Sequence, residues 1–215
     1  MTAPLAMYGA ALRRAGAAWT PRLQVRGLDG TLLVDVQPAH WTGGLRPGDQ
    51  GLLGRCHGPT LDVGCGPGRL VAALTARGRF AVGVDVSAEA VRQARRRGVT
   101  ARCRDVFDRM PDEGTWRHVL LADGNLGIGG DPVRLLRRAT SLVGDRGTVL
   151  AELLPLGERS WATEVVLHDG ERQSRAFPWA GVALSDVVDV AGAAGLRVLE
   201  TWTEAQRWFA NLTPA

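Results

Sequence analysis

Thr60 to Leu70 reads TLDVGCGPGRL, a short strand-forming run that passes straight into three glycines within five positions and then into helix-forming residues. Glycine at 64 and 66 permits positive φ and removes the Cβ atoms that would hold a ligand away from the backbone. Pro67 and Gly68 then open a helix whose first N–H groups favour polar or anionic ligand groups. A Gly-x-Gly turn alone serves equally well as ordinary punctuation. What adds specificity is Asp85, which closes the next strand in GVDVS. It stands about 20 residues on, at the carboxyl edge of the neighbouring strand, where ribose hydroxyls lie in nucleotide-type sites. The spelling G-C-G-P-G departs from the G-x-G-x-x-G of dinucleotide enzymes that transfer hydride.

Outward from this turn the chain repeats strand, turn and helix, the signature of a parallel sheet covered on both faces. The pattern predicts strands over 60–63, 80–84, 100–103, 118–122 and 148–154, with helices over 68–76, 88–97 and 132–142. A last helix over 185–194 is stopped by Gly195, and LRVLETW with RWFANL form a terminal antiparallel hairpin. Before the sheet, Ala3 to Ala18 reads as an amphipathic helix ended near Pro21, and Leu23 to Val36 as a hairpin around Asp29-Gly30. After the fifth strand, a second hairpin turns at Asp169-Gly170. The expected fold is one α/β domain with a Rossmann-like, doubly wound, mostly parallel sheet. Residues 1–58 form an amino-terminal cover, 59–155 the core, and 156–215 the inserted hairpin, last helix and terminal hairpin.

Composition narrows the function. A chain of 215 residues suffices for one domain burying roughly 70–75% of its unfolded surface. Its 26 basic residues are all arginine, a bias of the kind a GC-rich bacterial genome imposes. The net charge of +4 is modest and spread along the chain, and the cluster Arg92, Arg95, Arg96 and Arg97 reads as a solvated helix face. Nucleic acid is therefore not the expected partner. Cys56, Cys65 and Cys103 show no C-x-x-C spacing, which argues against a zinc site or a dithiol pair and fits a reducing cytoplasm. Neither a secretory leader nor a membrane-spanning run is legible.

Together, LDVGCGPG and the acidic end of the second strand resemble the class I S-adenosyl-L-methionine-dependent methyltransferases, over about Thr60 to Leu154. The resemblance implies that Gly64, Cys65, Gly66 and Gly68 receive the methionine part of S-adenosyl-L-methionine (SAM), and that Asp62 steadies the turn and the cofactor's amino group. It also implies that Asp85 binds both ribose hydroxyls, that Val86 and Ser87 floor the adenosine pocket, and that Asp105 and Val106 meet the adenine. Ser87 reads equally as a helix N-cap. After the fourth strand, LLADGNLGIGGDP places Asp123, Gly124 and Asn125 beside the sulfonium and the acceptor. It is not the Asn/Asp-Pro-Pro-Tyr/Phe motif of amino-group methylation on nucleobases or glutamine.

Methyl transfer from a sulfonium demands alignment and desolvation, with a general base when the nucleophile carries a proton. Asp123 and His40 are the candidates. His57 and His118 belong at the wrong edge of the sheet, and His168 beside a solvated turn. Trp41, Phe177 and Trp179, from the cover and the inserted hairpin, are candidates for a flat or apolar acceptor. No metal cluster is legible; Asp123 and Glu152 come nearest. The expectation is a metal-independent, cytoplasmic methyltransferase acting on a small molecule, plausibly a secondary metabolite, as monomer or homodimer. An RNA or protein methyltransferase and a SAM-binding protein without transfer activity are the rivals.

Overall fold

The computed structural model describes residues 2–15, 22–110 and 112–215. Ala18 and Pro21, the expected end of the first helix, lie outside them. Helix α1 (Pro4–Arg14) begins with proline in its first turn, where a missing N–H breaks no helical bond. Strands β1 (Leu23–Gly27) and β2 (Leu32–Val36) follow, then helices α2 (Ala39–Thr42) and α3 (Asp49–Gly54). The core alternates β3 (Thr60–Val63), α4 (Arg69–Ala76), β4 (Ala81–Asp85), α5 (Ala88–Arg96), β5 (Ala101–Cys103), β6 (Trp116–Leu121), α6 (Pro132–Leu142) and β7 (Val143–Leu153). Strands β8 (Trp161–His168) and β9 (Phe177–Gly181), helix α7 (Val187–Ala193), and strands β10 (Leu196–Glu204) and β11 (Arg207–Pro214) complete it.

Seven strands form the main sheet in the order β10-β11-β7-β6-β3-β4-β5. β5, β4, β3, β6 and β7 run parallel, and β11 and β10 are added antiparallel. Every residue of β3 and β4 is buried, as strands covered on both faces require. Alternation sorts the side chains between faces: Leu61, Val63, Val119 and Leu121 pack toward α6 and α7, while Leu120 and Leu150 pack with Leu70, Leu74 and Val91 of α4 and α5. The expected core strands are all present; β7 starts at Val143 rather than Thr148 because Val143 already pairs with Trp116 across a register shift.

The two hairpins read separately from the sequence are one structure. β1 pairs with β8, giving a second, four-stranded antiparallel sheet in the order β2-β1-β8-β9. A small apolar cluster of Met7, Ala11, Leu23 and Leu167 joins this cover sheet to α1, and Gly9 of α1 lies against Glu89 of α5. The cover thus arches over the carboxyl end of β3 and β4.

At the opposite edge, His118 is buried; its Nε2 accepts the His57 N–H at 3.0 Å and its Nδ1 lies 2.8 Å from the Thr148 hydroxyl. Burial, then the nearby Arg117 charge, pushes its pKa down to about 4. An unfolded histidine takes its proton near pH 6.5, so this contribution to stability is full above that value and is lost as pH falls toward 4. The loss amounts to at most about 3 kcal/mol. Urea unfolding at pH 7 and 4.5 should show His118→Gln losing less stability on acidification than the native chain. Parallel losses would refute this account.

Candidate active site

Under the cover lies a cavity of about 800 Å³, a size suited to a cofactor together with a small acceptor. Its floor is the glycine turn. Gly64 has φ +70°, and a Cβ there would fall 2.6 Å from the Asn125 amide nitrogen. Only glycine satisfies both demands. Asn125 Nδ2 donates to the Val63 and Gly64 carbonyls at 3.0 and 2.9 Å. Its amide therefore fastens the loop after β6 onto the turn after β3. Besides this clamp, Asn125 borders the cavity, the position from which it was expected to meet the acceptor. Gly68 is also explained by packing: a Cβ there would meet Val99 at 2.8 Å, and the residue is not part of the cavity wall.

Asp85 ends β4 at the cavity, 8% exposed. Its carboxylate accepts the Gly66 N–H at 2.9 Å and the Ser87 N–H at 2.7 Å, tying the second strand to the turn. Burial raises its pKa, and those two donors oppose the rise. Ser87 itself caps α5 by accepting the Ala90 N–H and lies outside the cavity wall, whereas Val86 is part of it. Asp62 is buried at the cavity floor and accepts no hydrogen bond from any described residue; burial, then the fields of Asp123 and Asp85, drives its pKa well up. An acid held this way favours a cationic partner. Cys65, with its thiol kept neutral by burial, presses against Gly83. Asp105 and Val106 border the cavity, and Asp105 Oδ1 accepts the Phe107 N–H at 2.9 Å.

Asp123, expected either to contact the acceptor or to hold the loop by a structural hydrogen bond, is bound on both carboxylate oxygens by arginines. Its Oδ1 takes Arg46 Nη1 at 3.0 Å and Arg207 Nη2 at 3.2 Å, its Oδ2 takes Arg69 Nη2, and its N–H donates to Glu152. Asp49 completes the cluster: fully buried, it bonds Arg69, Arg207 Nη1 at 2.7 Å and the Arg46 N–H at 2.7 Å. Three guanidiniums and three carboxylates, with Glu152 gripping Arg207 through both oxygens at 2.8 Å, thus close one side of the site. Asp123 orders the loop, with three arginine contacts on its two oxygens. His40 does not border the cavity, and burial, then the Arg46 charge, lowers its pKa. The Asp123 and Glu152 carboxylates are paired with arginines, and no group of three metal-ligating side chains occurs among the described residues.

Trp41, Phe177 and Trp179 all reach the cavity, from α2 and β9. Tyr8 of α1, which sequence reasoning passed over, joins them: its ring packs edge-on against Trp41 at 5.4 Å, and its hydroxyl points at Gly66. Burial, then the Asp85 charge, pushes its pKa well up, so the phenol stays a donor. A lone tyrosine in a helix of small residues carries no motif, and only the fold reveals its direction. On the carboxyl rim of the sheet the cavity therefore brings together an acid without a protein partner, an acid at the end of β4 and an aromatic wall. These features fit a ligand with a cationic amino group and vicinal hydroxyls.

Residues 60–147 match the family model described as a methyltransferase domain. In fold, the chain is similar to a SAM-dependent methyltransferase from Bacteroides fragilis solved with S-adenosyl-L-homocysteine, with TM-score 0.81 and 21% identity over 100% of this chain and 97% of that one. It is also similar to 1,6-didemethyltoxoflavin-N1-methyltransferase from Burkholderia thailandensis, with TM-score 0.56 and 18% identity over 76% and 74% of the two chains. A third likeness is to the O-methyltransferase NcsB1 from neocarzinostatin biosynthesis, with TM-score 0.56 and 24% identity over 74% of this chain and 49% of that one. No curated protein matches the chain in sequence.

Proposed function

We propose that the chain is a class I SAM-dependent methyltransferase and that it methylates a small, largely apolar or aromatic acceptor taken up between the glycine turn and the cover sheet. The observation that carries this reading is the cavity wall itself: Tyr8, Trp41, Phe177 and Trp179 line the same cavity as Asp62, Gly64 and Asp85. Two structural neighbours were crystallised with small aromatic molecules, 1,4-dihydroxy-2-naphthoic acid and 1,6-didemethyltoxoflavin, which supports an acceptor of that scale.

When bound, SAM supplies a methyl group on a sulfonium that leaves as a neutral thioether. The residues present fit it: Asp62 would hold its ammonium, Asp85 its ribose hydroxyls, and Asp105 and Val106 its adenine edge. The remaining work of the chain is positioning and exclusion of water, which can supply several kcal/mol of the barrier. Tyr8, a protonated phenol aimed at the turn, offers a hydrogen bond beside the reacting centre. Asp123 holds the loop that faces the acceptor, its oxygens bound by three arginines.

Incubation of the chain with methyl-deuterated SAM and a bacterial metabolite extract, followed by mass spectrometry, should reveal a small molecule heavier by one labelled methyl group. Label found only in RNA or protein would overturn the small-acceptor reading. Trp179→Ala should raise the KM for that acceptor about tenfold while leaving SAM affinity intact, since one aromatic wall contact is worth roughly 1–1.5 kcal/mol beyond area. Equal loss of both would remove Trp179 from the acceptor wall.

A further inference from the structure

The cavity mouth carries cations that the cofactor does not explain. Arg175, Phe177, Pro178 and Trp179 all border the cavity, with the exposed Arg175 just before β9 and Phe177 and Trp179 partly buried within it. The rest of that wall is apolar, built from Leu23, Val25, Val34 and Leu167. The Arg175 backbone is fixed on both sides: its N–H donates to the Thr2 carbonyl at 2.8 Å, and its carbonyl accepts the buried Ser174 hydroxyl at 2.7 Å. From the core side, Arg134 lies over the Phe107 ring, 4.0 Å from its centre, with its N–H capped by Asp131. Neither guanidinium meets a carboxylate within 4.0 Å or makes a hydrogen bond among the described residues, in contrast to Arg46, Arg69 and Arg207 of the same site. Arg104, also at the cavity, turns only to the Arg109 carbonyl.

SAM has two cationic centres and one carboxylate, so guanidiniums at the entrance act against its binding. They favour an anion arriving through the same opening. Resting on the small-acceptor reading, we propose that the acceptor is an organic acid: its aromatic or apolar body lies along Phe177 and Trp179, and its anionic group is held at the mouth by Arg175 and Arg134. Planar guanidiniums suit a carboxylate in two-point contact, and the stacked Arg134 is already oriented. Because the anchored group sits at the mouth, the methylated atom belongs to the opposite, inner end of the acceptor.

Calorimetry on the chain loaded with S-adenosyl-L-homocysteine tests this with 2-naphthoate and its neutral isostere 2-naphthamide as probes. The acid should bind about tenfold more tightly or better. Arg175→Gln and Arg134→Gln should each cost it about fivefold to tenfold, the worth of a charge-assisted contact at a partly solvated site. Binding of the amide and of S-adenosyl-L-homocysteine should stay within about twofold, since neither needs these charges. Acid binding no better than amide binding, including no binding of either, overturns the proposal, as does acid affinity unmoved by both substitutions. Failure of the native chain to bind S-adenosyl-L-homocysteine would strike instead at the methyl-transfer reading.

Discussion

Asp85→Ala is expected to lower SAM affinity by at least about a hundredfold in calorimetry, because the two charge-assisted hydrogen bonds we propose it makes to the ribose, at roughly 1.5–3 kcal/mol each, would be lost together. The same substitution removes the acceptor of the Gly66 N–H, so the turn also loses its tie to β4. Folding should respond differently. A carboxylate whose pKa is raised by burial is less stable ionised in the folded chain than in the unfolded one, and that penalty is present at neutral pH. Asp85→Asn, which keeps an oxygen for one of the two backbone donors, should therefore retain or slightly raise Tm while binding collapses. Near-normal SAM affinity in either variant would displace the cofactor from this edge of the sheet.

Asp49→Ala carries the largest expected cost to stability. Asp49 is fully buried beneath Arg69 and Arg207, which are themselves 3% and 9% exposed at the side chain. Truncating it leaves two buried guanidiniums short of a counter-charge, a defect worth about 3–5 kcal/mol. For a chain of this size that corresponds to a fall in Tm of roughly 10 °C. Asp49→Asn, which retains hydrogen-bond acceptance without the charge, should fall about half as far. A Tm within about 2 °C of native for Asp49→Ala would mean that Glu152 and Asp123 suffice to neutralise the cluster.

The glycine turn and the acidic strand end that we propose hold the cofactor were legible because their signals are local. Doubly buried strands write themselves as apolar runs, Gly64 answers to one backbone conformation, and Asp85 follows at the interval that one strand–helix–strand passage sets. The acceptor half was legible only in outline. Trp41, Phe177 and Trp179 were recognisable as cover residues, but the pairing of β1 with β8 joins segments more than a hundred residues apart, and no local pattern records it. Asp123 misled for a related reason. Its position at the end of β6 was read correctly, yet its partners come from the loop before α3, the first turn of α4 and the last hairpin. Asn125 shows the same limit, its amide donating to the Val63 and Gly64 carbonyls about sixty residues away, whereas the N-cap reading of Ser87 needed only its own helix.

The sheet that roofs the cavity is assembled from strands lying before and after the segment that carries the methyltransferase-domain match, and among the described residues it pairs with no strand of that segment, packing instead on the loop after β6, where Gly127 lies against the Ala180 carbonyl. On the function proposed here, choice of acceptor and delivery of the methyl group fall in separable stretches of sequence. Exchange of 23–36 together with 161–181 between relatives would retune selectivity while the transfer machinery stays as inherited, a route open to laboratory grafting as much as to divergence.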